Sequence, residues 1–296
     1  MWPAYIGVVI YRISFRFITG HQKSGSQSEL YDCVDMSGLD GKVALITGAS
    51  TGIGAATAIT FARLGAKLSL TGRNEENLKR VVGECLRASP AGTDQPLMIL
   101  ADLCSEAEVT SLVDATIKKF GRLDVLVNNA AVLAFGSIET TSLAQYDHVM
   151  NVNVRSVYHL TMLCVPHLIA TRGSIVNVSS VAGTRCMTPI LAYCMSKAAL
   201  DHMTSCTAIE LADKGVRVNS VNPGVIGNTE MHIRGGMSHE DCAKYFEKVK
   251  DKHPLGRLGD SEEVAQAIAF LAGSNASFIT GEHLHVDGGF HAGCAR

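Results

Sequence analysis

Tyr193 and Lys197 stand four residues apart, and Ser180 precedes Tyr193 by thirteen. If the stretch after Pro189 is helical, that spacing places the tyrosine hydroxyl and the lysine ammonium on one face, one turn apart. A phenol beside a fixed cation is a poised acid. A free tyrosine titrates near ~10, and bringing it to ~7 takes about 4 kcal/mol of preferential stabilisation of the phenolate. An adjacent ammonium in a partly dehydrated cleft acts in that direction, so the expectation is a Tyr193 pKa lowered by Lys197. Such pairs also occur on solvated helix faces, and the meaning of this one depends on whether the rest of the chain supplies something for the acid to act on. Cys194, inside the same run, has no nearby base and reads as a small packed residue rather than a nucleophile.

The elements that must position the pair alternate. From Gly41 onward, short runs rich in β-branched residues or leucine fall at 43–47, 67–71, 97–101, 125–128, 174–178, 216–221 and 283–286. Helix-like stretches at 53–64, 75–86, 106–120, 143–169, 191–212 and 262–272 separate nearly every pair of them. This pattern predicts an α/β fold of Rossmann type: a doubly wound seven-stranded parallel sheet with helices on both faces, in a single domain over 36–296. Residues 227–253 are polar, glycine-containing and charge-rich, and are read as a mobile insertion at the substrate side with one short helix around 240–250.

A glycine-rich run, Gly48-Ala49-Ser50-Thr51-Gly52-Ile53-Gly54, joins the first strand to the first helix. Glycines there allow a tight turn and let backbone approach a pyrophosphate, whose charge sits at the helix N-terminus. Enzymes of this architecture that bind NAD carry an acid at the end of the second strand for the ribose 2′-hydroxyl. Here the strand ends Thr71-Gly72-Arg73-Asn74, with Gly72 at the acid's position and Arg73 beside it. A guanidinium suits a phosphate dianion, which points to NADP(H), with Ser50 and Thr51 as further hydroxyl partners.

The motifs TGASTGIG at 47–54, Asp102-Leu103, Asn128-Asn129-Ala130-Ala131, Asn153, Ser180, Tyr193 with Lys197, Asn222-Pro223-Gly224 and Val286-Asp287-Gly288-Gly289 occur in one order. In that order and spacing the chain resembles the short-chain dehydrogenase/reductase family from about Gly41 to Phe290, and most of all its 3-oxoacyl carrier-protein reductase-like and carbonyl reductase-like members. The resemblance implies a hydride transfer between NADP(H) and a carbonyl or secondary alcohol. It implies Tyr193 as general acid/base and Lys197 as the group that lowers its pKa and holds the nicotinamide ribose. Ser180 would bond the substrate oxygen, and Asn153 would anchor a water leading from Lys197 to solvent. It further implies that Asp102 and Leu103 flank the adenine, Asn129 and Ala130 the ribose region, and Val225, Ile226 and Thr229 the nicotinamide, with Gly48, Ser50, Thr51, Gly52, Ile53, Gly54, Arg73, Asn74, Pro223 and Gly224 also among the cofactor-binding residues. Ala131 stands where the family has glycine, and Thr229 arrives one position later than the common spacing. A homotetramer, with a turn at Asp287-Gly288-Gly289 near the subunit contact, is implied in the same way. The alternative function is a catalytically silent NADP(H)-binding scaffold or redox-sensing subunit.

Composition narrows the partners. A net charge of −2 with scattered basic residues gives no stripe for nucleic acid or an anionic membrane. The nine cysteines form no C-x-x-C pair and no His/Cys cluster at metal spacing, which predicts reduced thiols in a cytoplasmic or matrix-like compartment and no metal. Residues 1–35 differ from the rest: Trp2 to Ile10 is apolar but short of the about 20 residues that span a bilayer, and the first acid is Glu29. Two readings fit this extension, a mitochondrial or signal-like targeting segment or an upstream start before Met36. The substrate pocket is expected to be roofed by 227–253 and walled by 184–190, with Met187, Met231, His232 and Met237 giving a mostly apolar surface. His148, His159 and His202 have no matched carboxylate or metal partner in the sequence and read as ordinary helix residues.

Overall fold

Strands β1 (Val43–Ile46), β2 (Lys67–Gly72), β3 (Leu97–Leu100), β4 (Val125–Asn128), β5 (Ser174–Val178), β6 (Arg217–Pro223) and β7 (His283–Val286) pair in parallel in the order β3-β2-β1-β4-β5-β6-β7. The computed structural model describes residues 37–293, so both readings of residues 1–35 lie outside the described residues. The central strand shows why the sheet is covered twice. Ala44 and Ile46 pack with Phe61, Leu78 and Ile268 on one side, whereas Val43 and Leu45 pack with Leu112, Leu160 and Leu168 on the other. Period-two alternation of an all-apolar strand leaves no face for water, and each fully buried Leu or Ile contributes about 1.5–3 kcal/mol.

The first face is closed by α1 (Gly52–Arg63), α2 (Glu75–Ala88) and α9 (Ser261–Ala272); the second by α3 (Glu106–Phe120), α5 (Ser156–Thr171) and the C-terminal half of α6 (Leu191–Ala212). The chain runs outward from β1 to β2 and β3, then returns to β4 on the other side of β1. This reversal opens a crevice at the carboxyl ends of β1 and β4, where open α/β sheets bind ligands.

Two elements depart from the sequence-based expectation. The single helix expected over 143–169 is α4 (Leu143–Met150) and α5 separated by a π-helical turn, Asn151–Arg155, in which Ser156 N–H bonds to Asn151 C=O. The widened turn brings the buried Asn153 amide onto the backbone of Val132, a contact that helical periodicity cannot foresee. Residues 227–253 hold two helices, α7 (Met231–Arg234) and α8 (His239–Lys250). They meet through His232, whose ring lies 5.0 Å from Tyr245 and 5.5 Å from Phe246.

Candidate active site

The carboxyl ends of the strands enclose a cleft of about 820 Å³, in the upper part of the range for ligand sites. Gly48, Ser50, Thr51, Gly52 and Ile53 line it from the loop after β1, Arg73 and Asn74 from the end of β2, and Asp102 and Leu103 from beyond β3. Asn129 and Ala130 enter after β4; Pro223, Gly224, Ile226 and Thr229 after β6; and Ser180, Tyr193 and Lys197 close the far end. Three expected site residues lie beneath the surface instead. Gly54 is under the loop, Asn153 is 1% exposed behind the tyrosine, and Val225 is buried with its N–H donating to His253 Nε2 at 3.2 Å.

The loop end is built to receive an anion. Helices α2, α3, α8 and α9 carry side-chain caps from Asn74, Ser105, Ser238 and Asp260 and acids in their first turns, whereas α1 has neither. The amides at the start of α1 thus lack the partners that those four helices have, and the positive end of the helix faces the cleft. Thr71 adds a buried hydroxyl with no partner on the cleft wall. A Cβ on Gly54 would lie 2.3 Å from the Gly48 carbonyl oxygen and 2.4 Å from Asn129 Nδ2. Asn129 donates to the carbonyls of Thr47 and Gly48 at 2.8 and 3.2 Å, so its amide holds the loop in shape. Gly54→Ala is therefore expected to destabilise the fold by about 1–3 kcal/mol through overpacking. The loss would be read as a lowered Tm in thermal denaturation, together with at least about tenfold weaker dinucleotide binding if the loop must shift.

Arg73 is exposed at the cleft margin and forms no ion pair or hydrogen bond among the described residues. Asp102 is less free, because its carboxylate accepts the Cys104 N–H at 3.0 Å in a local turn. Asn74 caps α2 through the Asn77 N–H at 2.8 Å.

At the far end Tyr193 and Lys197 are 6% and 2% exposed. Lys197 Nζ lies 5.6 Å from the Tyr193 ring centroid and donates to the Val178 carbonyl at 2.8 Å. The Tyr193 hydroxyl points to Met231 Sδ at 3.8 Å, and the Ser180 hydroxyl acts to lower its pKa. Ser180 Oγ also accepts the Ala182 N–H at 3.1 Å, fixing the turn that presents it. Asn153 accepts from Val132 N–H and donates to Val132 C=O, both at 2.9 Å, and donates to Ser196 Oγ at 3.0 Å. It clamps the strand-end loop to the helix that carries Tyr193 and Lys197.

Electrostatics correct one expectation. Burial is the leading influence on Tyr193 and pushes its phenol up to about 12, against a lowering by the Ser180 hydrogen bond; Cys194 and Asp201 push it further up. Burial likewise drives Lys197 down to about 8, opposed by Asp201. Desolvation disfavours both charged forms, so without ligand the tyrosine is a protonated acid whose pKa is raised rather than lowered. Cys194 is pushed up by burial as well, in keeping with its reading as a packed residue. The seven described cysteines are all unpaired.

The walls also differ from those expected. Residues 184–190 and Met237 do not line the cleft; Met187 and Ile190 pack behind Tyr193 with Leu133 and Ala182. Gln145 and His148 of α4 line it instead, with Leu133, Ala134, Glu230, Met231, His232 and Arg234. His148 thus corrects its reading as an ordinary helix residue. Its three-residue spacing from Gln145 puts both on one helical face, and only packing shows that this face looks into the cleft.

Residues 48–291 match the family described as enoyl-(acyl carrier protein) reductase. The chain belongs to the short-chain dehydrogenase/reductase family. This short-chain dehydrogenase/reductase is 39% identical over 252 residues to a 3-oxoacyl-[acyl-carrier-protein] reductase of Thermotoga maritima, covering 85% of this chain and 98% of that protein. It is 34% identical over 250 residues to a meso-2,3-butanediol dehydrogenase of Serratia marcescens, covering 84% and 94%. Among solved structures, a short-chain dehydrogenase/reductase of unknown function from Caenorhabditis elegans, determined with cofactor, superposes with a TM-score of 0.80 at 36% identity over 87% of this chain and 97% of that one. The chain is accordingly an oxidoreductase of the hydride-transfer type with a nicotinamide cofactor. Among the described residues no helix is long and apolar enough to cross a membrane, and no group of three or more His, Cys, Asp or Glu is arranged to hold a metal ion.

Proposed function

We propose that this chain reduces the carbonyl of a small-molecule substrate with NADPH, and oxidises the corresponding secondary alcohol in reverse, with Tyr193 as the general acid/base. The observation that carries the reading is a buried, protonated phenol that lines, with Ser180 and Lys197, one end of a cleft whose other end is an uncapped helix N-terminus. When bound, the cofactor supplies the hydride. The amides at the start of α1 and the turn at Gly48–Gly54 would hold its pyrophosphate, Arg73 with Ser50 its 2′-phosphate, and Lys197 its nicotinamide ribose.

The chain's own residues then manage the proton. As negative charge grows on the substrate oxygen, Ser180 and Tyr193 donate hydrogen bonds to it, and Tyr193 gives up its proton. Lys197, cationic below about 8, stabilises the phenolate left behind. Asn153 keeps α6 in place against the strand-end loop through Ser196 and Val132. Leu133, Ala134 and Met231 exclude water, while Gln145, His148 and His232 give polar points for orientation. This mixed wall suits acyl, quinone or aromatic carbonyls.

The test is a coupled screen of NADPH and NADH against 3-oxoacyl thioesters, β-keto esters, diketones and quinones. NADPH consumption with at least one of them is expected. NADPH binding without turnover across the panel would favour the scaffold reading instead. Arg73→Ala should raise the KM for NADPH by about 10–100-fold, the equivalent of losing a charge-assisted phosphate contact, with little change for NADH. Equal loss with both cofactors would remove Arg73 from the phosphate site.

A further inference from the structure

Asp201 lies one turn beyond Lys197 on α6, on the same helical face, and is 7% exposed. A buried carboxylate without a compensating charge is strongly unfavourable, and its surroundings identify what compensates it. Asn222 Nδ2, from β6, donates to both of its oxygens at 3.0 and 3.2 Å and reaches the Ser180 carbonyl at 3.2 Å. The turn after Ser180 packs so closely that a Cβ on Gly183 would lie 2.3 Å from Asp201 Oδ2 and 3.1 Å from the Lys197 carbonyl. From β7, His283 Nδ1 lies 3.7 Å from Asp201 Oδ1, with its ring held by Ser205 at 2.9 Å and Ser220 at 2.7 Å. The titratable groups that feel the carboxylate are thus Lys197 and Tyr193 on its own helix and His283 and His285 on β7; β6 and the Gly183 turn present only neutral groups.

We propose that Asp201 is a positioning residue that holds Lys197 in its ammonium form and thereby sets the alkaline limit of carbonyl reduction. The proposal rests on the reading of Tyr193 and Lys197 given above. Asp201 touches neither substrate nor cofactor in this scheme. Its charge opposes the desolvation of Lys197, and its bond to Asn222 ties that charge to β6 and to the backbone of Ser180. Because both groups are buried, salt screens the interaction between them little.

Two measurements separate this role from a merely structural one. In the holoenzyme, Asp201→Asn keeps the shape and removes the charge, so the alkaline limb of kcat/KM for reduction should move down by about one pH unit. Activity at pH 8 then falls about fivefold while activity at pH 6 stays within about twofold. His283→Gln should leave the limb in place, and the wild-type limb should hold its position between low and 1 M salt. The second measurement needs no turnover. Lys197 is held below its ordinary value, so stability rises with pH as the unfolded chain retains the proton and the folded one sheds it. In Asp201→Asn that rise begins at lower pH, and the Tm deficit of the variant should shrink from pH 6 to pH 9. A deficit that stays constant with pH, or a limb that does not move in an enzyme that still reduces carbonyls, overturns the proposal. Absence of carbonyl reduction by the wild type would overturn the reaction reading while leaving the stability test of Asp201 intact.

Discussion

Tyr193→Phe is expected to lower carbonyl reduction by about 10³-fold or more, the scale of losing a positioned general acid, while leaving NADPH affinity within a few-fold. The change removes one oxygen. The ring keeps its packing against Leu133 and Ala182, and the hydroxyl's contact within α7 is only the Met231 sulfur at 3.8 Å, so the fold should tolerate it. Burial holds the phenol near 12, so at neutral pH the group is fully protonated and ready to donate. Reduction should then decline as pH rises through the Lys197 value near 8, because a neutral amine no longer stabilises the phenolate product of proton transfer. Alcohol oxidation starts from phenolate and should rise with pH over the same region. Steady-state rates in both directions from pH 6 to pH 10 check the signs, and turnover retained by the Phe variant would remove Tyr193 from the chemistry.

Lys197→Met should both abolish activity and stabilise the protein at neutral pH. The ammonium is held at about 8 against an ordinary value of 10.5 by burial, a burden on the folded state of about 3 kcal/mol at pH 7. The sign follows from proton binding. Below about 8 both folded and unfolded chains carry the proton and the full penalty is present. Between about 8 and 10.5 the folded chain sheds it first and the penalty fades. Methionine fills similar space without a charge. It forfeits the 2.8 Å bond to the Val178 carbonyl, worth about 1 kcal/mol, so a net gain of roughly 2 kcal/mol at pH 7 remains. Calorimetry at pH 7 and pH 10 should show a higher Tm for the variant at the first and a smaller or reversed difference at the second. A variant less stable than wild type at pH 7 would mean that Lys197 is not under the strain that its burial implies. Holding an unfavourable charge where stability alone would place a methionine is the trade-off expected of a functional position.

Much of the site was legible because its chemistry is local in sequence. Tyr193 and Lys197 are coupled by helical spacing alone, the run Gly48–Gly54 by a single turn, and Ser180 by the end of one strand. The departures have a common cause. Gln145 and His148 are unremarkable on a polar helix until packing turns that face toward the cleft. Residues 184–190 look like a wall by proximity to Tyr193, yet Met187 and Ile190 pack behind it because their apolar side chains have a better partner in Leu133. The tyrosine's ionisation departs from expectation for the same reason, since spacing reveals a neighbouring cation but not how much water burial removes.

The sequence by itself determined the alternation of strand and helix, the phosphate-turn glycines, the arginine at the end of β2 and the identity of the acid. These, the acid being the one proposed above, depend on residue type and short-range periodicity, which are properties of a linear string. Only the tertiary structure decided that burial raises the pKa of Tyr193, that Asn153 works from a π-helical turn as a clamp, and that Asp201 is buried one turn below the lysine with Asn222 and His283 around it. Those are consequences of solvent exclusion and of contacts between segments distant along the chain. They arise only once β5, β6 and α6 are packed together.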